Sequence, residues 1–137
     1  MNEYFEFWQK TKEELQKIPL DIHRRGIDYP FENVQVEQVD FLSFLGERIF
    51  GYLLLPKTVG KQPIVIDCLG YMNHIQEPWQ FAHWTQIGCA CFVIDNRGQG
   101  GLTKDRVPYQ TIWHEAPMGR GFLDKEDWYQ RRLFADH

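Results

Sequence analysis

The sequence holds a single serine, Ser43, and neither G-x-S-x-G nor G-x-C-x-G occurs anywhere in it. A serine hydrolase of α/β type presents its nucleophile on a tight strand-to-helix turn between glycines. Ser43 lies instead in an alternating strand pattern, so no member of a Ser/His/Asp triad can be assigned. Cysteine is scarce as well: Cys68, Cys89 and Cys91 are an odd count. Cys89 and Cys91, two apart in an apolar run, would point the same way along a strand. They read as small buried hydrophobes in a reducing, cytoplasmic compartment rather than as a disulfide or a metal site. The five histidines (His23, His74, His83, His114, His137) make no H-E-x-x-H or comparable spacing, so no metal and no cofactor is expected. His114-Glu115 lies in a loop with no strand pattern before it. No apolar run is long enough for a membrane span, and the charged opening MNEYFEFWQKTKEEL is not a signal peptide. Lys and Arg are scattered and the net charge is −4, which gives no footprint for nucleic acid. Repeats, heptads and low-complexity tracts are absent.

What is present is ordinary for one folded domain: 137 residues, 43% hydrophobic and 25% charged, with a high 15% of aromatics. Residues Glu3 to Lys17 predict an amphipathic helix, because Tyr4, Phe7, Trp8, Thr11, Leu15 and Ile18 recur at three- and four-residue steps before Pro19. The polar stretch around His23, Arg24, Arg25 and Gly26 reads as a surface connection. From Val34 the period becomes two. Val34 and Val36 share one phase and Val39, Phe41 and Ser43 the other, which predicts a bulge near Gln38. Gly46-Glu47 reads as a tight turn into a second strand, Ile49 to Leu55, closed by Pro56.

Pro63 to Cys68 (PIVIDC) and Cys89 to Asp95 (CACFVID) are nearly continuous apolar runs, the pattern of strands covered on both faces. Between them Pro78 to Ile87 predicts a helix opened by proline and closed by Gly88. Strand, helix, strand implies a parallel pair joined by a right-handed crossover. A last helix is expected from Asp124, a good N-cap with charged residues behind it. The fold class is therefore α/β, with an antiparallel ribbon first and parallel strands after it.

Open parallel sheets bind ligands beyond the carboxyl ends of their strands. Two loops leave such ends: Leu69 to His74 after PIVIDC, and Asn96-Arg97-Gly98-Gln99-Gly100-Gly101 after CFVID. In the first, the Tyr71 main-chain N–H is a candidate oxyanion-hole donor; equally, Gly70 could simply make a turn while Tyr71 packs. The second is glycine-rich but lacks the following helix and Lys-Ser/Thr of a phosphate cradle. Arg97 is expected to hold loops together through carbonyls or a carboxylate rather than to meet substrate.

D-x-R-G-Q-G, as Asp95 to Gly100, resembles the acetyl xylan esterase and cephalosporin C deacetylase family of α/β-hydrolases. So do Phe5 to Asp21, Gly46 to Pro56 (GERIFGYLLLP), Leu69-Gly70-Tyr71, Gly121 to Asp124, and Tyr129 to Asp136 (YQRRLFAD). The resemblance implies the amino-terminal half of an α/β-hydrolase fold with an incomplete sheet. It implies hydrolysis of acetyl esters on xylo-oligosaccharides or cephalosporin-type antibiotics by a serine triad, without a cofactor and in a homo-oligomer. Tyr71 would then supply the oxyanion amide and line the pocket. Arg97, Gly98 and Gln99 would carry the first signature motif, while the nucleophile elbow and a late His-Glu pair would lie beyond residue 137. Met72-Asn73-His74 depart from the small residues common after that tyrosine, which changes loop shape and pocket size.

Such a chain is expected to be inactive alone, with an exposed strand edge that makes it self-associate. A non-catalytic interaction protein pairing through that edge is the alternative. A hydrolase using Cys68 is a third, weakened by the lack of any evident base.

Overall fold

The computed structural model describes residues 2–113 and 115–137, so His114 of the His114-Glu115 pair lies outside the described residues. The first helix, α1 (Glu3–Leu15), starts where Asn2 caps it by accepting the Tyr4 N–H at 3.1 Å, with Glu3 and Glu6 in its first turn. Only Thr11 of its predicted stripe is buried. Arg131 donates to the Thr11 hydroxyl at 2.9 Å and to Glu14 at 2.8 Å, which ties α1 to the last helix, α3 (Tyr129–Asp136).

Five strands form one sheet among the described residues: β1 (His23–Ile27), β2 (Val34–Leu42), β3 (Arg48–Pro56), β4 (Ile64–Cys68) and β5 (Ala90–Ile94), in the order β1-β2-β3-β5-β4. β1, β2, β3 and β5 pair antiparallel in turn, while β4 and β5 pair parallel as their apolar runs require. The helical segment between β4 and β5 is a 3-10 turn, Pro78–Phe81, followed by α2 (His83–Gln86). A capping box between Glu77 and Gln80 opens it, and Gly88, at φ +82°, closes it.

Several expectations are corrected. The polar stretch at His23–Ile27 is a strand, not a connection. Its charged, exposed residues suit a sheet edge, where the outer row of backbone groups faces water. No bulge interrupts β2, because its register with β3 runs unbroken from Val34↔Pro56 to Leu42↔Arg48. The phase of β2 shifts because the strand is covered on different faces at its two ends. Val34 and Val36 face the core with Leu54, Cys91, Val93, Ile75 and Phe81, whereas Val39 sits on the opposite face.

The β2–β3 turn lies a residue earlier than expected, with Leu45 and Gly46 both at positive φ (61° and 76°). Asp124 caps a turn rather than the helix: it accepts the Glu126 N–H at 2.9 Å, and α3 begins only at Tyr129.

β5 is covered on both faces, but β4 is not. Ile64 and Ile66 are 56% and 59% exposed, and no described strand pairs with the outer edge of β4. Cysteines expected to be buried are therefore not all inside: Cys68 is exposed on this strand, Cys89 is half-buried, and Cys91 is buried in β5. No helix among the described residues is long and apolar enough to cross a membrane.

Candidate active site

The carboxyl ends of β4 and β5 bring the two candidate loops together, and the residues at the end of β5 do the joining. Asp95 and Asn96 are 1% and 2% exposed. The Asp95 carboxylate accepts the Ile75 N–H at 3.1 Å and the Thr103 N–H at 2.8 Å, so one anion closes both loops at their far ends. Gly101 must be glycine, since a Cβ there would overlap both Asp95 carboxylate oxygens. The Asn96 side-chain amide donates to the carbonyls of Gly70 (3.1 Å), Leu69 (3.3 Å) and Asn73 (3.4 Å).

Gln99 makes the second link. Its side-chain oxygen accepts the Met72 N–H, and its side-chain nitrogen donates to the Tyr129 hydroxyl at 2.7 Å. That hydroxyl donates in turn to the Arg97 carbonyl at 2.6 Å. Burial lifts the Tyr129 phenol to about 12 against a downward pull from Gln99, so it stays a neutral donor. Gly98 stands at φ +62° with Asp105 so close that a Cβ would meet its Cβ at 2.7 Å. It turns the loop sharply between Arg97 and Gln99.

Arg97 is wholly buried. Its Nε and Nη2 each donate to Asp136 at 2.6 Å, a two-pronged pair that fastens α3 beneath the loop. Ser43 adds its hydroxyl to the same carboxylate at 2.6 Å and is itself buried, which removes it as a free nucleophile. Burial alone would lower the guanidinium pKa, but the bonds and charge of Asp136, with the smaller charge effects of Asp105 and Tyr109, together outweigh it and leave Arg97 raised. Asp105, on the far side, accepts from Arg120 (2.7 Å) and from the Tyr109 hydroxyl (2.9 Å). The carboxylate expected as a partner for Arg97 is thus present, from a helix distant in sequence.

Tyr71 is 46% exposed and occupies a turn closed by the Asn73 N–H to the Gly70 carbonyl at 3.1 Å. Met72, the next residue, is at φ +63°. Among the described residues none accepts the Tyr71 N–H, whereas the neighbouring Met72 N–H is occupied by Gln99. Of the two readings of this loop, Gly70 does make a turn, yet Tyr71 does not pack into the core. Cys68 sits exposed at the end of β4. Among the described residues no three His, Cys, Asp or Glu side chains gather as a metal ion would need.

Sequence reasoning singled out Tyr71, Arg97, Gly98 and Gln99: Tyr129 links Arg97 to Gln99, Gly98 turns the loop between them, and Tyr71 stands between Gly70 and Met72, which Asn96 and Gln99 hold. It gave no role to Asp95, Asn96, Tyr129 and Asp136, although each lies in a segment it had marked. Asp95 and Asn96 could have been found, because polar residues immediately after a buried strand must find partners there. Nothing local marks Tyr129 or Asp136, which are recognisable only once α3 is docked.

Comparison with known proteins agrees with this fold. The family model of acetyl xylan esterase (AXE1) matches residues 1–137. Acetyl esterase Axe7A of Xylanibacter ruminicola is 22% identical over 135 residues, covering 94% of this chain and 31% of that protein. The acetyl xylan esterase from Paenibacillus sp. R4 superposes with a TM-score of 0.92 at 28% identity, over 99% of this chain and 44% of that one. Acetyl xylan esterase 1 from Thermoanaerobacterium sp. JW/SL YS485 shares the fold, with a TM-score of 0.91 at 24% identity over 98% and 43% of the two chains. The chain therefore spans less than half the length of each of these relatives. With the model matched along its whole length and the D-x-R-G-Q-G loop locked against the Tyr71 turn, this chain belongs to the acetyl xylan esterase family.

Proposed function

We propose that this chain forms the oxyanion side of a serine esterase that removes acetyl groups from xylo-oligosaccharides. One observation carries the reading: among the described residues the Tyr71 N–H is left without an acceptor at the carboxyl end of the parallel strands, while the groups around it are tied by Asn96 and Gln99. Such a fixed donor is suited to a developing oxyanion, since it costs no reorganisation during reaction.

In this reading a serine outside residues 1–137 attacks the acetyl carbonyl and a histidine, also outside, takes its proton. The Tyr71 amide stabilises the tetrahedral oxyanion, the sugar alcohol leaves, and water then releases acetate from the acyl-serine. One such donor contributes roughly 3–4 kcal/mol of transition-state stabilisation. The Tyr71 ring, half exposed beside it, lines the acyl pocket. Arg97, Gly98 and Gln99 hold the loop and do not touch substrate. The chemistry needs no cofactor. Cephalosporin-type acetyl esters, which present the same acetyl group, are accepted as well. The complete protein is a cytoplasmic homo-oligomer.

The test is a chimera in which this chain replaces the matching segment of the Paenibacillus esterase. It is expected to release acetate from acetylated xylo-oligosaccharides, whereas the chain alone releases none. A chimera that melts cooperatively yet hydrolyses no acetyl ester, beside an active parent enzyme, would sink the reading. The unpaired β4 edge favours one other reading, a non-catalytic protein that pairs through that edge. An inactive but folded chimera is the result that reading expects.

A further inference from the structure

We propose that Asn96 is a positioning residue that sets the direction of the Tyr71 amide, an inference that rests on the oxyanion reading of that amide. The argument starts from the peptide bond. In a trans peptide the C=O of one residue and the N–H of the next point in opposite directions. The described residues contain no cis peptide bond. The Asn96 side-chain nitrogen lies 3.1 Å from the Gly70 oxygen, on the buried side of the loop. Holding that oxygen inward holds the Tyr71 N–H outward, because both belong to one rigid plane.

The same nitrogen reaches the carbonyls of Leu69 and Asn73 at 3.3 and 3.4 Å. Its two hydrogens are thus shared among three acceptors that bracket the turn. The 69–70 and 73–74 peptides are therefore restrained together with the one that matters. Met72, at φ +63°, occupies a region that side-chain-bearing residues rarely adopt. Relief of that φ would come from rotating the 71–72 plane. Rotation of the 70–71 plane, which changes only ψ of Gly70 and φ of Tyr71, is a separate freedom, and it would turn the Tyr71 N–H inward. Gln99 restrains the turn from the other side through the Met72 N–H, but it does not touch the 70–71 peptide. Asn96 is the side chain bonded to that plane.

Two measurements test this. In the chimera described above, Asn96→Ser shortens the side chain and leaves the Gly70 oxygen with the Asn73 N–H alone. An oxyanion donor acts in the transition state, so kcat is expected to fall roughly 10- to 100-fold while KM stays within about twofold. The control is Thr85→Val on α2, where a buried hydroxyl bonded to the Ala82 carbonyl at 2.7 Å is lost away from the loop. It is expected to lower the melting temperature with kcat unchanged. If Asn96→Ser leaves kcat intact, or costs no more kcat than Thr85→Val at an equal loss of melting temperature, Asn96 is structural only and the proposal is overturned.

The second measurement uses the 137-residue chain itself and does not depend on catalysis. Amide hydrogen exchange at Asn73, whose N–H closes the turn on Gly70, is expected to accelerate in Asn96→Ser, and the Tyr71 amide resonance is expected to move. Unchanged exchange and an unmoved resonance would overturn the proposal even in an active chimera. An inactive unmutated chimera would instead defeat the oxyanion reading, leaving this second measurement to decide the role of Asn96.

Discussion

Replacing Asp136 by asparagine removes one charge from the most enclosed ion pair among the described residues while leaving its size unchanged. Arg97 and Asp136 both have side chains with no exposure, and the carboxylate accepts three bonds: two from Arg97 and one from Ser43, each at 2.6 Å. Solvent cannot take over, and among the described residues the remaining Arg97 nitrogen, Nη1, has no hydrogen-bond partner; the Asp105 carboxylate is 3.9 Å away. With asparagine, an NH2 group would face the guanidinium and the buried cation would lose its counter-charge. Breaking one side of a buried pair costs about 3–5 kcal/mol. In a domain of this size that is a drop in Tm of about 10–17 °C.

Ser43→Ala, which removes one charge-assisted bond but no charge, should cost less, about 1.5–3 kcal/mol. The double variant Arg97→Met/Asp136→Leu should recover most of the loss, because the pair's desolvation disappears with its charges. Urea unfolding followed by tryptophan fluorescence and circular dichroism reads all three through the midpoint at constant slope. The reasoning is refuted if Asp136→Asn loses under about 1 kcal/mol, or if the double variant is no more stable than the single one.

Other outcomes follow from the same structure. Gly101→Ala should destabilise by about 1–3 kcal/mol through overlap with Asp95, whereas Gly26→Ala on the β1 edge, with no atom nearby, should be within about 0.5 kcal/mol of the parent; the same unfolding curves check both. Thiol labelling at pH 8 should modify exposed Cys68 readily and leave Cys91 untouched until the chain unfolds, since burial lifts the Cys91 thiol to about 11 and the thiol is wholly enclosed; equal labelling rates would contradict the packing of β5. The free β4 edge should drive concentration-dependent association, reduced by Ile66→Lys, as read by sedimentation velocity; a parent chain that stays monomeric at high concentration would contradict it.

Much of this molecule was legible locally. Apolar runs without alternation marked β4 and β5 as parallel neighbours, and glycine spacing marked the loop after β5. The sequence resemblance then named the family before any geometry was known. Where local reading failed, it did so for identifiable reasons. His23–Ile27 carries no apolar signal because an edge strand needs none, and Asp124 looks like a helix cap because an Asx turn uses the same carboxylate-to-N–H bond. The phase shift in β2 imitated a bulge because a strand covered on opposite faces at its two ends writes the same pattern.

The sequence by itself determined the α/β class, the parallel pair, the two loops at its carboxyl end and the lack of a nucleophile motif, because these depend on residue type and near-neighbour spacing. Only the tertiary structure decided which groups those loops leave free. Asn96 meets three carbonyls more than 20 residues away, and Arg97 meets a carboxylate 39 residues away. A hydrogen bond between distant segments leaves no local pattern, since either partner alone is an ordinary polar residue. The open donor at Tyr71 is defined by bonds its neighbours make, and those exist only once α3 and the two loops have docked.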